Sequence, residues 1–185
     1  MRVIAGRFKG RRLKTPSWTG LRPTSDKLRE TLFNILAPRL AGARVLDGFA
    51  GTGAVGIEAL SRGVAHVTFV EQDRRATALI AANLDVCGQK QGYTIECGDV
   101  ADVLRRLSGD ATFDLILLDP PYGIESGAMT TTLEAAAGRM AADGLVVLER
   151  ATRRIPVAPQ SLRHVRDVPS GDSTLTCFTL QREMR

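Results

Sequence analysis

Apolar and polar positions follow two alternating rhythms along this chain. Five short runs carry apolar residues bounded by polar turns: Ala43-Arg44-Val45-Leu46-Asp47, Val67-Thr68-Phe69-Val70-Glu71, Tyr93-Thr94-Ile95-Glu96-Cys97, Phe113-Asp114-Leu115-Ile116-Leu117-Leu118 and Leu145-Val146-Val147-Leu148-Glu149. Such runs are predicted strands, and the near-continuous ones fit a parallel sheet buried on both faces. Between them apolar residues recur at helical spacing. Leu28, Leu32, Ile35 and Leu36 mark a helix that starts at Arg22-Pro23-Thr24-Ser25-Asp26, with Ser or Thr as cap, Asp in the first turn and Pro38 near its end. Arg29 and Glu30 fall between those apolar positions, where a side chain is ordinarily solvated. Ile57-Glu58-Ala59-Leu60 is helical, and Arg74 to Leu84 is a helix with Ala76, Leu79, Ile80 and Asn83 on one side. Val100, Val103, Leu104 and Leu107 follow the same rule. Met129, Leu133, Ala136 and Met140 space out as another helix, with a turn at Ala142-Asp143-Gly144. Alternating strands and helices predict a doubly wound, mostly parallel α/β sheet of Rossmann-like type.

The two ends break this alternation. Arg163 to Val168 and Thr174 to Leu180 read as closing strands, joined by a turn at Ser170-Gly171-Asp172-Ser173 into an antiparallel hairpin. At the other end, Val3-Ile4-Ala5 and Arg11-Arg12-Leu13 flank Gly6-Arg7-Phe8-Lys9-Gly10, the pattern of a small β-ribbon that needs something to pack on. Thr15 to Gly20 reads as a linker. The division is therefore residues 1–21 for a basic ribbon and linker and residues 22–185 for the main domain.

Composition sharpens this picture in one respect. With 185 residues, 44% of them apolar and 24% charged, the chain has enough for one ordinary core. No run suits a membrane helix or a signal peptide, so a cytoplasmic protein is expected. Cys87, Cys97 and Cys177 are odd in number and lack ligand spacing, which predicts reduced, buried thiols. His66 and His164 are far apart, so no local zinc site is visible and no metal is expected. The net charge of +5 is uneven: Met1 to Ser25 holds no acid but carries Arg2, Arg7, Lys9, Arg11, Arg12, Lys14 and Arg22. A basic block of this kind attracts polyanions and points to nucleic acid, although a solvated basic arm is the plainer use of such charge.

Four groups of candidate residues stand at strand ends. Gly48-Phe49-Ala50-Gly51-Thr52-Gly53-Ala54-Val55-Gly56 lies between a strand and a helix, and Gly51, Gly53 and Gly56 have the spacing of a dinucleotide-binding loop. Glycines there let the backbone approach a ligand closely. Glu71 ends the next strand about 20 residues on, where an acid can accept both hydroxyls of a ribose. Asp99 ends the third strand and could accept from an adenine amine with Val100 against the ring, or cap the following helix, or do both. Asp119-Pro120-Pro121-Tyr122 ends the fourth. The prolines hold the backbone extended, so its carbonyls cannot enter a helix and stay free to accept. Two rigid acceptors beside an aromatic plate suit a planar amine such as the exocyclic amine of a base. A proline-terminated strand with a capping aspartate is the alternative for this motif alone.

Taken together, Asp47-Gly48-Phe49-Ala50-Gly51-Thr52-Gly53, Glu71, Asp99 and Asp119-Pro120-Pro121-Tyr122 resemble the motif set of S-adenosylmethionine-dependent amino-methyltransferases. Arg22-Pro23-Thr24, Arg29-Glu30-Thr31-Leu32-Phe33-Asn34 and Gly56-Ile57-Glu58-Ala59-Leu60-Ser61-Arg62-Gly63 narrow the resemblance to the bacterial 16S ribosomal RNA guanine-N2 methyltransferase family, over nearly the whole chain. The resemblance implies a seven-stranded sheet with a reversed last strand and methyl transfer to the N2 amine of one guanine in small-subunit RNA. It implies cofactor contacts from Asp47, Phe49, Gly51, Thr52, Gly53, Glu71, Asp99 and Val100, and catalytic roles for Asp119, Pro120, Pro121 and Tyr122. It assigns the basic ribbon and Arg22 to RNA, needs no metal, and allows ribosomal proteins of the small subunit to form part of the docking surface.

Three other readings use part of this set. An adenine-N6 methyltransferase can share Asp-Pro-Pro-Tyr, but the roughly 63 residues after Tyr122 are consumed by the fold, leaving little for a target-reading domain. A nicotinamide dehydrogenase fits the glycine spacing and Glu71 but leaves the proline motif and the basic ribbon unexplained. A non-catalytic RNA-binding assembly factor would tolerate Asp119→Ala, whereas an enzyme would not.

Overall fold

The computed structural model describes residues 1–18, 26–108, 112–121, 123–153 and 158–181. The expected helix cap at 22–25, including Arg22, and the aromatic Tyr122 lie outside the described residues. Seven strands run as β1 (Arg44–Gly48), β2 (His66–Glu71), β3 (Tyr93–Cys97), β4 (Phe113–Leu118), β5 (Met140–Ala151), β6 (Leu162–Ser170) and β7 (Ser173–Leu180). Among the described residues, α1 (Asp26–Leu36) and a short 3-10 turn precede β1, and α2 (Ala54–Ser61), α3 (Arg74–Cys87), α4 (Val100–Arg106) and α5 (Ser126–Ala137) connect the first five strands. All seven strands form one sheet in the order β3-β2-β1-β4-β5-β7-β6. The first five are mutually parallel, and β7 runs antiparallel to both β5 and β6. The β6–β7 hairpin closes at the Ser170–Ser173 pair, with Gly171 at φ +63°. The seven strands and the reversed last one are as expected.

Alternation along the strands splits the core in two. Val45, Leu115, Leu117 and Val147 face α1, α2 and α3, while Leu46, Ile116, Leu118, Val146 and Leu148 face α4 and α5. Chain order reverses between β1 and β4, so the carboxyl ends of these two strands form the switch point where open α/β sheets bind ligands.

Several expectations are corrected. Met140 is not the end of a helix: α5 stops at Ala137, and Met140 opens β5 opposite Phe113. Ala142-Asp143-Gly144 lies within β5, at an irregularity where the register passes from Phe113↔Met140 to Leu115↔Leu145. Spacing alone could not separate these, because a bulged strand end restores an apolar residue at helical distance. Cys87 and Cys177 are buried, but Cys97 is exposed at the end of the edge strand β3. Arg29 is not solvated; it is fully buried.

The N-terminal segment is a loop closed on itself rather than a regular two-stranded ribbon. One antiparallel bridge joins Arg2 and Arg12, flanked by the Val3 amide donating to the Arg11 carbonyl and the Leu13 amide to that of Met1. Val3, Phe8 and Leu13 are buried in the same core as α1, α2 and α3. Each such side chain contributes about 1.5–3 kcal/mol when taken from water, so the segment is held as part of the fold.

Candidate active site

The candidate residues gather because five parallel strands end at one level. Gly48 pairs with both Val70 and Leu118, and Glu71 pairs with Cys97. The glycine loop, Glu71, Asp99 and Asp119 therefore follow adjacent strands on the same rim. The Asp119 amide donates to the Gly48 carbonyl at 3.3 Å, tying the ends of β4 and β1.

Within the loop, Gly51 and Gly53 take φ of +55° and +76°, and Phe49 adopts +60°. A left-handed non-glycine residue is uncommon, and such conformations cluster at ligand-binding sites. Glu71 holds this loop: its Oε2 accepts the Gly51 amide at 2.9 Å, and its Oε1 accepts the Asp73 amide at 2.9 Å. A carboxylate offers about four lone-pair sites, so each oxygen keeps capacity for a ligand hydroxyl. Asp99 caps α4, accepting the Asp102 amide at 3.1 Å, while Val100 is buried behind it.

Asp47 lies beneath the loop at the end of β1. It is buried and accepts the Gly56 amide at 2.9 Å. Burial pushes its carboxyl up from 3.8 to about 8; the Gly56 amide opposes this, and the charges of Asp119 and Glu71 add to it. Three acidic side chains thus converge on one rim, and crowding of the Asp119 and Glu71 charges helps keep Asp47 protonated. Asp119 is half-buried. Among the described residues the Pro120 carbonyl accepts no hydrogen bond, whereas that of Pro121 accepts the Ile124 amide. Leu28 and Leu32 of α1 line a small cleft together with Asp47, Asp119 and Glu149.

The basic residues occupy a different surface. Arg2, Arg7, Lys9, Arg11, Arg12 and Lys14 are all exposed, and none is ion-paired with a carboxylate among the described residues. Arg7 donates to Gln89 Oε1 at 2.7 Å and Arg11 to the Val86 carbonyl at 2.8 Å.

The seat beneath that surface was not foreseen. Glu58, fully buried, accepts the Ile4 amide at 2.7 Å, the Ala5 amide at 2.9 Å and Arg62 Nε at 2.8 Å. Ser61 Oγ accepts the Phe8 amide and donates to the Ala5 carbonyl. Arg29 Nη2 donates to the Arg2 carbonyl at 2.8 Å and to Asp26, while its Nε and Nη1 find no hydrogen-bond partner among the described residues. Every residue of α2 is buried. Polar residues on such a helix need internal partners.

Among the described residues no helix is long and apolar enough to cross a membrane, and no cluster of three metal-ligating side chains occurs. A doubly wound sheet with a reversed last strand, a glycine loop and an Asp-Pro-Pro end at its switch point defines the Rossmann-like methyltransferase class. Comparison with known proteins agrees. A family model described as "Conserved hypothetical protein 95" matches residues 1–179, and the chain belongs to that family. It is 33% identical to the Escherichia coli K12 protein named ribosomal RNA small subunit methyltransferase D, over 99% of this chain and 90% of that one. The Haemophilus influenzae protein of the same name is 32% identical over 92% of this chain and 89% of its own. Among solved structures, a hypothetical protein of Thermus thermophilus, TTHA0928, superposes with a TM-score of 0.80 at 31% identity, covering 97% of this chain and 99% of that one. The Escherichia coli protein yhhF gives 0.85 at 28% identity, covering 99% of both chains.

Proposed function

We propose that this chain transfers a methyl group from S-adenosylmethionine to the exocyclic N2 amine of a guanine in 16S ribosomal RNA. Its acceptor is the small ribosomal subunit or an assembly intermediate, in the cytoplasm. The observation that carries this reading is the placement of the Asp119-Pro120 acceptors beside the glycine loop, across the β1–β4 switch point. The named relatives supply the substrate class.

The residues present fit the cofactor. S-adenosylmethionine would supply an electrophilic methyl group on a cationic sulfur, next to an ammonium and a ribose. Glu71 has oxygens at the loop edge for the ribose hydroxyls, Asp99 and Val100 stand where an adenine would lie, and Asp47 brings a carboxyl to a cationic tail. Phe49, Gly51, Thr52 and Gly53 form the loop that would bring the backbone close.

The amine of guanine is a poor nucleophile because its lone pair is delocalised into the ring. Asp119 and the Pro120 carbonyl would accept hydrogen bonds from its two N–H groups and favour a localised lone pair aimed at the methyl group. Pro121 stiffens that turn, and Tyr122 would stack on the base, which must leave its neighbours to reach the pocket. Held groups of this kind supply acceleration by orientation. Arg2, Arg7, Lys9, Arg11, Arg12, Lys14 and Arg22 would hold the RNA backbone, and ribosomal proteins could complete the docking surface.

The test is transfer of labelled methyl to unmodified small subunits, naked 16S RNA and duplex DNA, with Asp119→Ala beside the wild type. Label on guanine in the subunit, lost in the variant, is expected. Label on adenine or DNA would replace this reading with the adenine-N6 one. RNA binding without transfer would favour an assembly factor.

A further inference from the structure

The basic segment and the glycine loop look separable in the sequence, yet one buried side chain holds both. Asn83, on α3, is fully buried. Its Oδ1 accepts the Lys14 amide at 2.7 Å. Its Nδ2 donates to the Lys14 carbonyl at 3.2 Å and to the Thr52 carbonyl at 3.0 Å. A carboxamide has two donors and one carbonyl oxygen, so each of its polar groups is committed to the backbone of these two segments. Thr52 is itself buried and sits between the left-handed Gly51 and Gly53. Lys14 sits in the exposed basic track, which follows α3 from Arg11 at Val86 to Trp18, whose ring lies 5.0 Å from the Arg75 guanidinium.

We propose that Asn83 is a positioning residue that couples RNA binding to cofactor binding. The inference rests on the reading above, in which RNA takes the basic segment and the cofactor takes the loop. If Lys14 leaves its seat, Asn83 loses two of its three bonds inside the core, and a buried amide without partners is unfavourable. The amide then has reason to turn and release Thr52, loosening the loop. A ligand that orders either segment lowers the cost of ordering the other, which is positive coupling. By linkage the factor is the same in both directions.

The experiment measures the affinity of the full chain for unmethylated small subunits, with and without saturating S-adenosylhomocysteine. It also measures the affinity for S-adenosylhomocysteine with and without subunits. Trp18, the only tryptophan, provides a fluorescence signal at the end of the track. The expected ratio in the wild type is on the order of tenfold, within the usual range for coupled sites. Asn83→Ala should bring that ratio close to one while each ligand still binds alone. A purely structural role would weaken both affinities and leave the ratio untouched. Should Asn83→Ala fail to fold, Lys14→Pro and Lys14→Ala decide the matter. Proline removes the amide that Asn83 accepts and should abolish the ratio, whereas alanine removes only the charge and should keep it. A wild-type ratio of one with both ligands bound, or a wild-type ratio in Asn83→Ala and Lys14→Pro, would overturn the coupling. Failure of the wild type to bind either ligand would refute the function itself, and the coupling with it.

Discussion

Asp47 offers a measurable consequence of how the rim is built. The residue is 3% exposed, and its carboxyl is pushed up to about 8 by burial, with further pushes from the Asp119 and Glu71 charges. The unfolded chain titrates this group near 3.8. Between those values the folded protein keeps a proton that the unfolded chain has lost. The stability contributed is complete below the lower value and is lost as pH rises through the upper one. One proton's difference changes the folding constant roughly tenfold per pH unit, more than 1 kcal/mol. Asp47→Asn keeps an oxygen for the Gly56 amide but cannot ionise. Denaturant unfolding of both proteins at about pH 5, 6 and 7 should show the variant gaining on the wild type by roughly that factor per unit. His66, held low by burial and by the Arg44 charge, acts in the opposite sense but is common to both proteins and cancels. Parallel stability curves would mean that Asp47 is ionised in the folded state, and the burial argument would be refuted.

Other perturbations test the seat of the N-terminal segment and its charge. Glu58→Ala removes the acceptor of two backbone amides and strands Arg62, so a loss of about 3–5 kcal/mol is expected for a broken buried pair, read by denaturant unfolding; a loss under 1 kcal/mol would show the seat to be dispensable. Gly6 has φ +79°, and a Cβ there would lie 1.9 Å from the Ser61 carbonyl oxygen. Gly6→Ala should therefore free the segment, seen as proteolytic cleavage within residues 1–18 while the remaining domain stays resistant. Lys9→Ala with Arg12→Ala leaves the packing alone and should lower the salt dependence of RNA binding by about one unit of slope per lost phosphate contact, with unfolding unchanged.

Most secondary structure was legible, because a strand buried on two faces must carry apolar residues almost without break. The β4 run from Phe113 to Leu118 could be nothing else, and the prolines after it set its end. The β5 start was not legible: Met140 satisfied a helical spacing, and only its pairing with Phe113 distinguishes the two. The candidate rim could be drawn in advance because parallel strands in register bring their carboxyl ends together, whatever the details of packing. Glu71 and Asp119 needed no contact information to be placed there.

What the sequence by itself determined is the order of strands and helices, the acids at strand ends and the basic character of the first residues. These are local properties, written in neighbouring side chains. Only the tertiary structure decided which polar residues face water. Arg29 and Glu58 read as ordinary helix positions, and Asn83 as one member of a largely apolar helix side, yet each is fully buried. Their backbone partners in the N-terminal segment lie 27, 54 or 53, and 69 residues away respectively. No local pattern reports a partner at that distance. The proton on Asp47 is decided in the same way, by burial and by acids brought beside it across two neighbouring strands. A charge in the core is set by what the fold places around it, and that is a property of the assembled sheet.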